Sequence, residues 1–139
     1  SDLPADLSGK SILVVGMGRI GSRTVKRCVA FEMDVHVLDP NISESDIKKA
    51  GASKVGDLKA ILPKVDFVSV HCPKSPETVN MFNAETIGLM KSDAFLVNTA
   101  RGATVDATRR EPPLHRGLVD VPAARIPATL LVAFMPTSG

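Results

Sequence analysis

The chain has 139 residues, a formal net charge of +2 and a hydrophobic fraction of 44%, enough for one domain with a real core. That charge is too small to argue for a nucleic-acid partner or an anionic membrane surface, and with no Trp and no Tyr the usual base-stacking platforms are missing. No apolar run approaches the ~20 residues that span a bilayer.

Residues 1–10 read as a polar lead-in, with Leu7-Ser8-Gly9-Lys10 turning into a first strand at Ser11–Val15. A helix follows over about Arg19–Phe31, in which Gly21, Val25, Cys28 and Val29 share one face at helical spacing. Asp34–Leu38 is the second strand, broken by Pro40. Ser43 opens a short polar helix that leads to Ala50 and stops at Gly51. Lys54-Val55 is a candidate third strand, and Asp57 caps a helix Leu58–Leu62. Asp66–His71 is a strong strand. Asn83 caps the helix Ala84–Lys91, whose Ile87 and Met90 face inward, and Ala94–Asn98 is the next strand.

Four of these strands are continuous apolar runs rather than alternating ones, as expected of parallel strands buried on both faces. With helices between them they predict an α/β fold, a Rossmann-type doubly wound parallel sheet, truncated or altered at its C-terminal end. From Arg109 onward prolines fall at Pro112, Pro113, Pro122, Pro127 and Pro136, which disfavours helix. Leu130–Phe134 is one possible last strand. The expected division is therefore a nucleotide-binding domain over 1–106 and an atypical Pro-rich tail over 107–139.

The chemistry is written in Gly16-Met17-Gly18-Arg19-Ile20-Gly21, which follows the apolar run Ile12–Val15. Gly16 permits a tight turn out of the strand, Gly18 lets the backbone approach a pyrophosphate, and Gly21 lets the helix pack close to the sheet. The helix N-terminus offers N–H groups and positive potential to phosphate, and Arg19 stands where it can rest against the same group. Asp39 closes the second strand 18 residues after Gly21. A carboxylate there accepts from ribose hydroxyls and repels a 2′-phosphate, so NAD is favoured over NADP. Cys28 and Cys72 lie in no CxxC pair. They read as reduced, packed thiols of a cytoplasmic protein, an expectation matched by the lack of an apolar signal core near residue 1. No metal site is expected.

The stretch from Gly9 to Asp106 resembles the NAD-binding domain of the D-isomer-specific 2-hydroxyacid dehydrogenases, above all the 3-phosphoglycerate, hydroxypyruvate and glyoxylate reductase branches. The matching pieces are Val15–Gly21, then Leu38-Asp39-Pro40, then Val70-His71-Cys72-Pro73 with Pro76-Glu77-Thr78, and last Val97–Gly102 with Val105-Asp106. The resemblance implies hydride transfer between C2 of a 2-hydroxy acid and the nicotinamide of NAD. It assigns cofactor contacts to Gly16, Gly18, Arg19, Ile20, Gly21, Asp39, His71, Cys72, Pro73, Thr78, Thr99, Ala100, Arg101 and Asp106. Arg101 stands where the family clamps the substrate carboxylate, a task suited to a planar guanidinium. Glu111-Pro112 resembles the pair whose glutamate orients the proton-carrying histidine. His71 reads as a wall of the cleft, and His36 as a packed or edge residue without a chemical role.

The resemblance breaks after Asp106. The family places a helix and a strand of about 20 residues between the motifs matched by Asp106 and Glu111, and a parallel crossover needs at least a dozen. The terminal run contains no histidine, and His115 stands in the wrong place for the proton carrier. The family's substrate domain comes mostly before the glycine loop, whereas about ten residues precede the first strand here. The expected function is the NAD-binding domain of such an oxidoreductase, incomplete for catalysis as this chain alone, with a small 2-hydroxy acid engaged only if a substrate domain is supplied. The alternative is a non-catalytic NAD(H) sensor or interaction module of the same family. An open sheet edge makes a homodimer a further expectation.

Overall fold

The structure, a computed structural model, describes residues 7–71 and 81–98. Five strands form one sheet in the order β3-β2-β1-β4-β5, every pairing parallel. They are β1 Ser11–Val15, β2 Asp34–Leu38, β3 Ser53–Lys54, β4 Phe67–Val70 and β5 Phe95–Asn98. Helices α1 Arg19–Ala30, α2 Glu44–Lys49, α3 Leu58–Ile61 and α4 Ala84–Leu89 lie between them. This is the order of a doubly wound dinucleotide-binding sheet, reversing direction between β1 and β4.

The two faces of β1 separate the core into two clusters. Ile12 and Val14 pack with Val35, Val37, Phe67 and Val97 beneath Val25 and Cys28 of α1 and Ile47 of α2. Leu13 and Val15 pack with Val68, Val70 and Leu96 beneath Ile61, Phe82, Ile87 and Met90. Because strand side chains alternate between faces, a run such as Ile12–Val15 must be apolar throughout to be covered on both sides. Cys28 sits in the first cluster, as expected, and burial pushes its thiol up to about 12, which leaves it a neutral packing group.

The element boundaries differ from expectation by one or two residues, each for a local reason. Helix α1 ends at Ala30 rather than Phe31 because Glu32 adopts a left-handed φ of 61°. The N–H of Met33 then reaches Cys28 O and that of Glu32 reaches Val29 O, closing a Schellman turn without glycine. Helix α2 ends in the same way at Gly51, with φ 90°, as the sequence predicts. Helix α3 gives way to a 3-10 turn over Leu62–Lys64, with Pro63 in its first turn. β3 is Ser53–Lys54 rather than Lys54-Val55, although Val55 still donates its N–H to Val37 O. β4 loses Asp66 and His71 from its ladder, yet their N–H groups bond Ser11 O and Val15 O. Helix α4 stops before Met90, whose extended backbone turns its side chain into the core. β5 starts at Phe95, one residue after the expected Ala94.

Asp66 fastens the amino edge of the sheet. Its carboxylate accepts from the Ser11 N–H and from Lys91 Nζ, each at 3.0 Å. Burial by itself would raise its pKa. The Ser11 N–H, the Lys91 ammonium and the charge of Lys10 outweigh that effect and hold it below the usual carboxylate range.

Candidate dinucleotide site

The carboxyl ends of β1, β2 and β4 converge on the loop Gly16–Gly21. Gly16 leaves β1 with φ 92° while donating its N–H to Leu38 O over 3.0 Å. A side chain at this φ is strained whatever the space around it. Gly18 is the N-cap of α1, and a Cβ added there would meet nothing within 4 Å, so this point of the loop faces open space. Gly21 is the opposite case. A Cβ added there would lie 1.9 Å from the Gly16 carbonyl oxygen, so the helix crosses the loop at a distance only glycine permits.

The electrostatics of α1 run against the ordinary preference. No side chain among the described residues caps its N-terminus, its first turn carries no acid, and Arg19 and Arg23 stand at its start. The helix dipole favours negative charge at this end, so uncapped N–H groups beside arginines form a site whose natural complement is an anion. Arg19 is exposed, and so is Ile20 at 41%, one of two large apolar side chains exposed among the described residues.

Asp39 stands beside this loop at the end of β2. Its Oδ2 accepts from the Met17 N–H over 2.8 Å and its Oδ1 from the Asn41 N–H over 2.9 Å. The sequence places a carboxylate near the loop but does not show that it holds the loop in place. The same is true of His71. Its backbone N–H donates to Val15 O over 2.8 Å, and its ring Nε2 shares a hydrogen bond with the fully buried Ser69. Burial lowers its pKa to about 4, so the half-buried imidazole is neutral at pH 7. The available signal for this pair was their i, i+2 spacing on one strand, which puts both side chains on the α1 face.

The structure thus brings Gly16, Gly18, Arg19, Ile20, Gly21, Asp39 and His71 to one end of the sheet. Cys72, Pro73, Thr78, Thr99, Ala100, Arg101, Asp106 and Glu111 lie outside the described residues, as does the tail from 107 to 139. His36, in β2, bonds the exposed Asp34 over 3.0 Å, an arrangement with no chemical role in this site. No group of three or more metal-ligating side chains occurs among the described residues, and no helix there is long and apolar enough to cross a membrane.

A five-stranded parallel sheet in this order, with a glycine turn and an uncapped helix at its switch point, defines a Rossmann-type dinucleotide-binding domain. Residues 2–112 match the model of the D-isomer specific 2-hydroxyacid dehydrogenase NAD-binding domain, and the chain belongs to that family. It is 36% identical over 114 residues to the D-3-phosphoglycerate dehydrogenase of Methanocaldococcus jannaschii, a match covering 82% of this chain and 22% of that protein. The corresponding enzyme of Bacillus subtilis is 38% identical over 115 residues, with 83% and 22% covered. Among solved structures, the D-lactate dehydrogenase of Aquifex aeolicus complexed with NAD and lactic acid superposes with a TM-score of 0.65 at 40% identity, covering 70% of this chain and 28% of that one. The chain therefore spans about a fifth to a third of the length of the relatives it matches. It is the NAD-binding domain of an oxidoreductase family, as its motifs imply.

Proposed function

We propose that NAD(H) binds with its pyrophosphate over the first turn of α1 and its adenosine ribose at Asp39. Gly18 gives the diphosphate its approach, the uncapped N–H groups and Arg19 meet its charge, and Ile20 offers an apolar surface beside it. His71 walls the cleft. Cys72, Pro73, Thr78, Thr99, Ala100, Arg101 and Asp106 complete the cofactor contacts in this reading. The observation that carries it is the Asp39 carboxylate, held against the glycine loop by the Met17 N–H at the mouth of a helix that no side chain among the described residues caps. A 2′-phosphate brought to that carboxylate would be repelled, so the cofactor is NAD rather than NADP.

When bound, the nicotinamide supplies or accepts the hydride exchanged with C2 of a 2-hydroxy acid or 2-keto acid. In the same proposal Arg101 clamps the substrate carboxylate and Glu111 stands for the glutamate that orients a proton carrier. Turnover requires a substrate domain to close the cleft, so this chain alone binds cofactor without turning over substrate. The boundary after residue 106, a cytoplasmic location and pairing into a homodimer belong to this reading. They are supported by a family match that stops at residue 112, a buried free thiol at Cys28 and the place of β5 at the edge of the described sheet.

The test is a thermal-shift titration of the full chain with NAD and NADP. Binding to the folded state must raise the melting temperature as ligand exceeds its Kd. NAD should stabilise and NADP should not. Equal responses, or none, would overturn the reading.

A further inference from the structure

On the α1 face of β4, beneath the glycine loop, lies a buried polar pair that binding of the dinucleotide does not itself require. Ser69 is fully buried in the middle of β4, between Val14 of β1 and Val97 of β5. Its Oγ bonds Nε2 of His71, two residues on and on the same face. His71 is also held through its backbone, whose N–H donates to the carbonyl of Val15, the last residue before the glycine turn. The Cβ of His71 lies directly under Gly21, 3.5 Å from the place a Cβ would occupy there, and Gly21 in turn rests on the Gly16 carbonyl.

We propose that Ser69 is a positioning residue for cofactor binding: by holding Nε2 of His71 it keeps the imidazole against the sheet and out of the cleft that the dinucleotide enters. This rests on the proposed placement of the pyrophosphate at the first turn of α1. Three attachments leave His71 little freedom. Its backbone is tied to β1, its Cβ is the floor under Gly21, and its ring is tied to Ser69. Removal of the Ser69 hydroxyl leaves a buried ring nitrogen without that partner, and such groups turn toward water when they can. The ring then turns about its Cβ, which the backbone bond to Val15 keeps in place under Gly21, and swings into the cleft. There it takes up space that the cofactor needs, so binding weakens while the helix start keeps its place over the loop. Burial that lowers the His71 pKa to about 4 keeps the ring neutral, so the pair acts by geometry rather than by charge.

The experiment compares the full chain with Ser69→Ala, Ser69→Cys and Ser69→Thr. NADH affinity is read from cofactor fluorescence, which suits a chain without Trp or Tyr, at temperatures well below each variant's melting point. Imidazole 15N spectra, assigned with His71→Asn, report the ring. S69A and S69C should weaken NADH binding by about fivefold or more, the loss of one hydrogen bond. They should also shift the His71 ring nitrogens even without cofactor. S69T, which keeps the hydroxyl, should restore both affinity and ring signature. S69A nearly preserves the volume of serine, and S69C replaces the hydroxyl with a larger but weaker donor, so the two together separate the hydrogen bond from packing. Unchanged affinity and unchanged ring resonances in folded S69A and S69C would overturn the proposal while leaving the cofactor site standing. A wild-type chain that takes up no NADH would overturn the cofactor reading and this proposal with it.

Discussion

Met17 donates its backbone N–H to Asp39 Oδ2 over 2.8 Å, so the residue assigned to the ribose also fastens the glycine loop to the end of β2. The second carboxylate oxygen is engaged as well, by the Asn41 N–H at 2.9 Å. In the proposed reading, cofactor choice and loop geometry therefore share one side chain. Asp39→Ala removes both. We expect NADH affinity to fall roughly ten- to a hundredfold, the range for hydrogen bonds to a charged group. NADPH affinity should not rise to the wild-type NADH level, because the loop that must hold the diphosphate is released too. Calorimetric titration of both cofactors checks this. A simple exchange of preference would show that Asp39 acts on the ribose alone.

The three loop glycines should separate folding from binding. Gly21→Ala drives a Cβ to 1.9 Å from a backbone carbonyl that cannot move cheaply, which should cost at least about 2 kcal/mol and lower the melting temperature by roughly 10 °C. Gly18→Ala meets nothing within 4 Å, and Gly18 has an ordinary φ of −81°. That variant should melt within about 2 °C of wild type yet bind NADH at least about tenfold more weakly, its new methyl standing where the diphosphate must come. Unfolding curves with and without NADH read both effects.

Acid should weaken the domain in two steps. The pKa of His71 is lowered from 6.5 to about 4 by burial. Between those values the unfolded chain binds the proton and the folded one does not, so stability falls as pH drops from about 6.5 to 4, by up to roughly 3 kcal/mol. His71→Asn should flatten that window. Asp66 acts in the same sense at lower pH, its folded pKa lying below the usual carboxylate range. Its contribution is complete above the unfolded pKa and is lost as pH falls below about 4. Asp66→Asn should remove that second step only. Urea unfolding across pH 3–8 measures both.

Glu32 occupies the left-handed position of the turn that ends α1, with φ 61°, where Gly51 serves the equivalent turn after α2. Glu32→Gly relieves a Cβ penalty of about 1 kcal/mol, offset in part by the added freedom of the unfolded chain. A net gain of roughly 0.5 kcal/mol is expected, with NADH affinity unchanged, since Glu32 lies at the end of α1 away from the glycine loop. A loss of stability in chemical denaturation would refute it.

The sheet and its glycine loop were legible because their signals are local. Ile12–Val15 had to be apolar on both faces, and Gly16 and Gly21 each carry a steric demand that the chain states directly. Boundaries were less legible. Glu32 ends α1 against its own conformational preference, and Pro63 yields a 3-10 turn after α3, both settled by hydrogen bonds that close only in the folded chain.

What the sequence alone determined was the succession of strands and helices along the chain, the glycine turn and the acid that follows it, since each depends on residues close together in the chain. Tertiary structure alone decided that Asp39 reaches back 22 residues to Met17, that Ser69 seats His71 and that His71 lies under Gly21. The physical reason is that these contacts join the ends of different strands. No periodicity records which strands become neighbours or how closely a helix settles onto them, because packing of the whole sheet sets both.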